Sequence, residues 1–295
     1  MSAEAPTRTA RVLLWVVPAL WSTNYLIARA SDGLIGAHAL AFGRWLLAAL
    51  LMLPFTAAGL MARRDALRRE WPQLVVLGGF GMWICGAWVY LGGQRTSATN
   101  IALIYAVTPI AIAIAGARLL HERMLPRQWL GAALALAGLL VVIARGDVHA
   151  LLAVRFGVGD LWIVAAASSW VAYSVLLKHW KTDLGPGERL VATCAGGLLV
   201  LLPFTLAEAW VAPTPPSWAA AGLVLAAAVL PGVLSYGAYS YLQRELGAAR
   251  TALMLYLTPV YAPLLAWGVL GEVPRWYHVA GALLILPSIA LATRR

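Results

Sequence analysis

Residues 98–122 read ATNIALIYAVTPIAIAIAGARLLHE, and residues 248–272 read AARTALMLYLTPVYAPLLAWGVLGE. Laid in one register without a gap, Ala102-Leu103 matches Ala252-Leu253, Thr108-Pro109 matches Thr258-Pro259, Leu120 matches Leu270 and Glu122 matches Glu272. The register continues to Gly131-Ala132 and Gly281-Ala282. Upstream, one residue out of that register, Trp21 aligns with Trp170 and Pro54-Phe55-Thr56 with Pro203-Phe204-Thr205. Apolar matches are common between apolar sequences, but matched Thr, Pro, Trp and Glu positions are not. The chain is therefore read as a duplication with halves 1–146 and 147–295.

Hydrophobic residues make up 62% of the chain and charged residues 12%, against roughly 45–50% and about 25% in a soluble domain. Such a chain cannot cover a water-facing surface, so lipid is the solvent for most of it. Apolar runs fall at 11–30, 38–60, 72–92, 96–118, 127–145, 158–178, 188–209, 217–242, 248–270 and 275–293. Each approaches the roughly 20 residues that a helix needs to cross a bilayer. They are continuous, which excludes the short alternating strands of a membrane barrel. The expected fold is an all-α integral membrane protein of ten transmembrane helices.

Lys and Arg orient these spans, because cytoplasmic joints carry the excess of positive charge. With the N-terminus cytoplasmic, sixteen Lys and Arg fall on the inside, the largest group being Arg63, Arg64, Arg68 and Arg69. Six fall outside, Arg29 and Arg44 included. Both termini are then cytoplasmic. Five spans per half is an odd number, so the two halves are inverted relative to one another, a recurrent device of secondary transporters. The chain is expected to lie in the inner (plasma) membrane as a multi-pass protein.

The formal charge of +10 is assigned to cytoplasmic joints and anionic lipid. No soluble basic face exists to bind nucleic acid. Cys85 and Cys194 lie inside apolar runs and are read as packing residues. The first span lacks an obvious cleavage site and is read as a retained helix. The five histidines are scattered over different joints, and no paired carboxylates or phosphate-binding run accompanies them. An enzyme is not expected, nor a cofactor or metal. The expected partners are a small-molecule substrate and membrane lipid, with the chain a monomer or weak homodimer.

The run Ala19-Leu20-Trp21-Ser22-Thr23-Asn24, together with Ala102-Leu103, Thr108-Pro109 and Glu122 and their copies Ala252-Leu253, Thr258-Pro259 and Glu272, resembles the EamA family of the drug/metabolite transporter superfamily. The resemblance covers essentially the whole chain. It implies export of small metabolites by alternating access. General likeness to the subgroup named for export of aromatic amino acids and their analogues narrows the implied substrates toward amino acids. Nucleosides, cofactor-like metabolites and drugs stay open.

Candidate substrate-binding residues are the aromatic and polar side chains inside the spans: Trp21, Asn24, Tyr25, Trp83, Tyr105, Thr108, Trp170, Tyr173, Tyr236, Tyr239 and Tyr256. Rings hold an apolar group or a cationic amine, and hydroxyls and amides orient the polar part. Trp21 and Trp170 occupy matching positions and are expected to face one another; Trp83 serves packing as readily as lining. Pro109 and Pro259 remove a backbone donor in mid-membrane and predict matching kinks, either simple bends or part of a gate. Glu122 and Glu272 at the span ends are either loop-fixing surface residues or gate latches. Arg44 is expected to reach the headgroups, the alternative being that it reaches a cavity and holds a carboxylate.

Overall fold

The computed structural model describes residues 7–293 apart from 94, 97, 123, 153 and 272. No strand occurs among the described residues. Nine described helices are long and apolar enough to cross a membrane: Arg8–Ala28, Ala37–Ala62, Arg64–Gly93, Asn100–Leu119, Pro126–Ile143, Val158–His179, Pro186–Val211, Trp218–Leu246 and Ala248–Val269. These are the first to ninth helices below. The tenth, Trp276–Thr293, contributes a shorter apolar stretch, Trp276–Leu291. Large apolar side chains face outward; Trp210 and Trp218 are 88% and 94% exposed. Lipid rather than water suits that surface, and indole rings near helix ends sit well at headgroup level.

One sequence boundary needs correction. The segment 63–70 was expected to be a polar joint, but the third helix already begins at Arg64. Its opening turns are amphipathic. Arg64, Asp65, Arg68 and Arg69 are exposed, while Ala66 and Glu70 are buried. Asp65 complements the helix N-terminus, and Glu70 accepts from Thr182 Oγ1 at 2.5 Å and from the Asp183 N–H at 3.2 Å.

Four helices are interrupted. The fourth stops at Ala106 and restarts at Thr108. The ninth tightens into a 3-10 turn at Met254–Leu257 and restarts at Thr258. Pro109 and Pro259 are the second residues of the restarts, where a missing N–H leaves no bond unmade. The third and eighth helices carry π-helical turns at Gly79–Ile84 and Val229–Leu234. Neither turn is marked by a sequence pattern as the Thr-Pro pairs mark the other two breaks. The two turns fall at the spacing that separates Thr108 from Thr258.

Hydrogen bonds identify the two ends of the bundle. At one end, Arg63 after the second helix holds Glu188 of the seventh at 2.6 and 2.8 Å. There too Lys178 of the sixth donates to the Gln243 carbonyl of the eighth at 2.8 Å, and Thr7 meets Tyr241 at 2.9 Å. We call this the terminal end. At the distal end, Glu208 of the seventh helix accepts from the N–H groups of His38 and Ala39, both at 3.0 Å, at the start of the second. The second and seventh helices are thus pinned at both ends.

Packing follows a repeating scheme. The fifth helix lies along the tenth and the second along the seventh. The third packs on the sixth, as the eighth packs on the first; the fourth packs on the ninth. Glycines permit the closest approaches. A methyl group at Gly78 would come within 2.6 Å of Gly197 Cα, and one at Gly138 within 2.9 Å of the Gly281 carbonyl oxygen and 2.8 Å of Ile285.

Gly138→Leu is therefore expected to wedge the fifth and tenth helices apart. Overpacking of this kind costs about 1–3 kcal/mol, and the measurement is the melting temperature of the detergent-purified protein followed by size-exclusion fluorescence. Gly222→Leu, where an added Cβ meets nothing within 4 Å, is expected to leave it unchanged.

A candidate substrate cavity at the broken helices

The four interruptions break the regular helical ladder, and lipid offers no hydrogen bonds to replace what is lost. Side chains donate to carbonyls at three of them; those of Phe80 and Leu230 also keep the backbone N–H groups of Cys85 and Ser235. Ser169 Oγ donates to the Phe80 carbonyl at 2.7 Å and Tyr236 Oη to the Gly81 carbonyl at 3.1 Å. In the other π-turn, Ser235 Oγ donates to the Leu230 carbonyl at 2.9 Å and Arg44 Nη2 to the Pro231 carbonyl at 2.8 Å. Tyr256 Oη donates to the Ala106 carbonyl at 3.0 Å. Each of these five bonds fixes a side chain at a defined point in the middle of the bundle.

Among them lies a cavity of about 390 Å³, within the size range of small-molecule sites. Trp21, Asn24, Arg44, Cys85, Tyr105 and Thr108 line it, with Pro109, Trp170, Tyr236, Tyr256, Thr258 and Pro259. The remaining lining is Gly86, Val89, Leu139, Leu255 and small or aliphatic groups of the fourth and ninth helices. In each helix the lining residues lie near the middle or in the distal half. Toward the terminal end the cavity is floored by rings. Trp21 and Trp170 meet edge to face at 5.3 Å, and Tyr239 lies 5.1 Å from Trp21 and 5.2 Å from Trp170. Beneath them Tyr239 Oη donates to Ser174 Oγ at 2.9 Å, and Gln243 Nε2 to the Ser174 carbonyl at 3.1 Å. Glu122 then accepts from the N–H groups of Ala248 and Ala249, both at 2.9 Å, at the start of the ninth helix.

The structure brings together seven of the sequence-selected residues at the cavity wall: Trp21, Asn24, Tyr105, Thr108, Trp170, Tyr236 and Tyr256. Pro109 and Pro259 join them. Three others lie elsewhere. Tyr173 is fully buried behind Trp170, stacked on it at 5.3 Å and filling the space left by Gly81. Tyr239 is fully buried beneath the floor. Trp83 stacks on Phe204 at 4.2 Å and meets Trp88 edge to face at 5.3 Å, away from the cavity; the π-turn rotates it there. The side chain of Tyr25 and all of Glu272 lie outside the described residues.

Two residues need reassignment. Arg44 does not reach for headgroups; it is 4% exposed and lines the cavity. Its position in the first two turns of the second helix gave the opposite expectation, because the Pro231 carbonyl that draws it inward belongs to a turn the sequence did not reveal. Cys85, read as packing, also lines the cavity; Cys194 is buried, and both thiols are free.

Apolar helices of membrane-crossing length around a cavity of metabolite size define a polytopic membrane protein. Comparison with known proteins identifies the kind. The model of the EamA-like transporter family matches twice, at residues 9–144 and 157–294, and the chain belongs to that family. It is 28% identical over 274 residues to the uncharacterized transporter YyaM of Bacillus subtilis, covering 92% of this chain and 88% of the relative. It is 27% identical over 278 residues to a probable terminal-alkyne amino-acid exporter of Streptantibioticus cattleyicolor, covering 93% and 90%. An uncharacterized inner membrane transporter of Escherichia coli, YedA, is 22% identical over 88% of this chain and 82% of its own length. A solved crystal structure shares the fold, with a TM-score of 0.77, 22% identity and 96% coverage of both chains. The chain is a multi-pass inner-membrane transporter.

Tyr256→Phe is expected to leave the Ala106 carbonyl without its donor. An unsatisfied buried acceptor costs about 1–3 kcal/mol. Thermal unfolding in detergent measures it; Tyr241→Phe, on a partly exposed hydroxyl at the terminal end, is the comparison and is expected to lose less.

Proposed function

We propose that the chain is a secondary transporter that exports small amphipathic metabolites, amino acids and related compounds foremost, by alternating access between two inverted five-helix halves, 1–146 and 147–295. The observation that carries this reading is the cavity's position at the meeting of matching interruptions in the fourth and ninth helices, each marked by a Thr-Pro pair. Half-broken helices at the membrane midplane are where transporters place their substrates.

Three features support the two-half arrangement. The family model matches once per half. The π-turns recur at the spacing of the Thr-Pro pairs. The packing scheme is unchanged when each helix is exchanged for the one five places away: third on sixth becomes eighth on first. With the termini cytoplasmic, the cavity belongs to the outer half and the Trp21, Trp170 and Tyr239 floor closes the inner path. Glu122, clasping the N–H groups of Ala248 and Ala249, then acts as the inner latch, and Glu272 is its outer counterpart. Rings of the floor meet the apolar part of the solute, and Asn24, its amide oxygen held by Tyr90 at 3.0 Å, meets the polar part. The amino-acid assignment draws on the name of the Streptantibioticus relative and on a cavity that is mostly apolar with few polar groups.

Proteoliposomes carrying the purified chain are expected to move radiolabelled aromatic or aliphatic amino acids, with and without a proton gradient imposed. Trp170→Ala is expected to slow that movement by about tenfold, the equivalent of roughly 1.4 kcal/mol of ring contact. Failure to move any of a panel of amino acids, nucleosides and cationic drugs sinks the reading.

The outward-facing state makes a separate prediction. In right-side-out spheroplasts a membrane-impermeant thiol reagent is expected to modify Cys85 and spare Cys194, read by peptide mass spectrometry. Modification of Cys85 only from inside-out vesicles would reverse the assignment.

A further inference from the structure

Arg44 is the one charged residue among those that line the cavity, and no lining residue is acidic. Among the described residues no carboxylate forms an ion pair with it. Its guanidinium lies 4.4 Å over the Trp45 ring and 5.8 Å from the Tyr236 ring, and Nη2 is held by the Pro231 carbonyl. The Nε–H is buried with no hydrogen-bond partner. A cation taken out of water is ordinarily kept only when an anion or a set of acceptors compensates it. Here the ring faces, one carbonyl and the neutral Tyr90 hydroxyl compensate in part, and the negative charge is missing.

Two of the cavity's hydroxyl donors are already committed, and the buried Thr108 Oγ1, which has no partner, is neutral. Tyr236 and Tyr256 spend their hydroxyl protons on the Gly81 and Ala106 carbonyls. Arg44 is therefore the group best placed to hold an anionic part of a solute. The geometry points to Arg44 as the specificity-determining residue of the cavity: it takes the carboxylate of a monoanionic or zwitterionic substrate, and the substrate class is amino acids and other small carboxylic acids rather than amines. This rests on the transport reading above and narrows it.

The chemistry of the site favours one carboxylate. A guanidinium offers a planar fork that matches a carboxylate and stays charged at any physiological pH. A phosphate monoester would bring a second negative charge for which the lining has no cation. A cationic amine without a carboxylate would meet Arg44 as a like charge in a medium of low dielectric. The Pro231 bond also ties the cation to the π-turn of the eighth helix, so that ligand charge neutralises a residue that braces an interruption on the transport path.

The test uses the full-length protein in proteoliposomes and compares phenylalanine, phenylalaninamide, phenylethylamine and 3-phenylpropionate, each as transported label and as competitor. The wild type is expected to prefer the two carboxylates over the amide and the amine by about tenfold or more. Arg44→Gln is expected to remove that preference, with the amine handled as well as or better than in the wild type. Arg44 also braces Pro231, so the Arg44→Lys variant, which keeps the charge and loses the fork, is run beside it; a reduced but surviving preference is expected. Transport by the wild type with no preference for carboxylates overturns the assignment of Arg44 and leaves the transport reading standing. An undiminished preference in a folded Arg44→Gln variant does the same. Failure of the wild type to move any of the four, or any of the wider panel, overturns both.

Discussion

Lipid cannot hydrogen-bond. Every carbonyl that leaves a helical ladder within the membrane must find its donor in the protein, and the centre of this molecule is organised by that requirement. The third, fourth, eighth and ninth helices are each interrupted once near mid-membrane. Ser169, Tyr236, Arg44, Ser235 and Tyr256 donate to the carbonyls of Phe80, Gly81, Pro231, Leu230 and Ala106 at these breaks. Each bond pulls a polar side chain into the middle of an apolar bundle and holds it in one orientation. Three of the five, Arg44, Tyr236 and Tyr256, line the cavity.

The uninterrupted helices have the opposite character. The second and seventh are clamped at one end by Glu188 with Arg63 and at the other by Glu208 with the N–H groups of His38 and Ala39. The fifth and tenth touch nearly backbone to backbone at Gly138 and Gly281. Clamped and closely packed pairs therefore flank the four interrupted helices. A Thr-Pro restart has already lost ladder bonds, so a change in tilt there costs less.

The fold was legible in the sequence because its determinants are simple. Apolar length marks the spans, and two Thr-Pro pairs in one register mark the breaks at Pro109 and Pro259. The fine structure was less so. A π-turn leaves no pattern in residue type beyond Gly79 and Gly81 or Pro231 and Gly232, and those glycines also suit close packing. Because the turns were invisible, their effects were too: Trp83 swings onto Phe204, Tyr173 falls behind Trp170, and Arg44 turns inward. Trp21 and Trp170, which reach the wall, sit on helix faces that periodicity alone defines. Trp83 lies within a π-turn and Tyr173 fills the space beside Gly81 of that turn.

Ala106 and Tyr256 stand at the same point before their Thr-Pro pairs, yet one offers a bare carbonyl and the other the hydroxyl that meets it. Had the two positions stayed identical, two alanines would leave the carbonyl unanswered and two tyrosines would compete for one small volume. The two unlike residues divide a single contact between donor and acceptor. The lining is correspondingly unequal: Arg44 and Tyr105 come from the second and fourth helices, Leu255 and Tyr256 from the ninth. A lining of this kind presents different chemistry to the two ends of any molecule it holds.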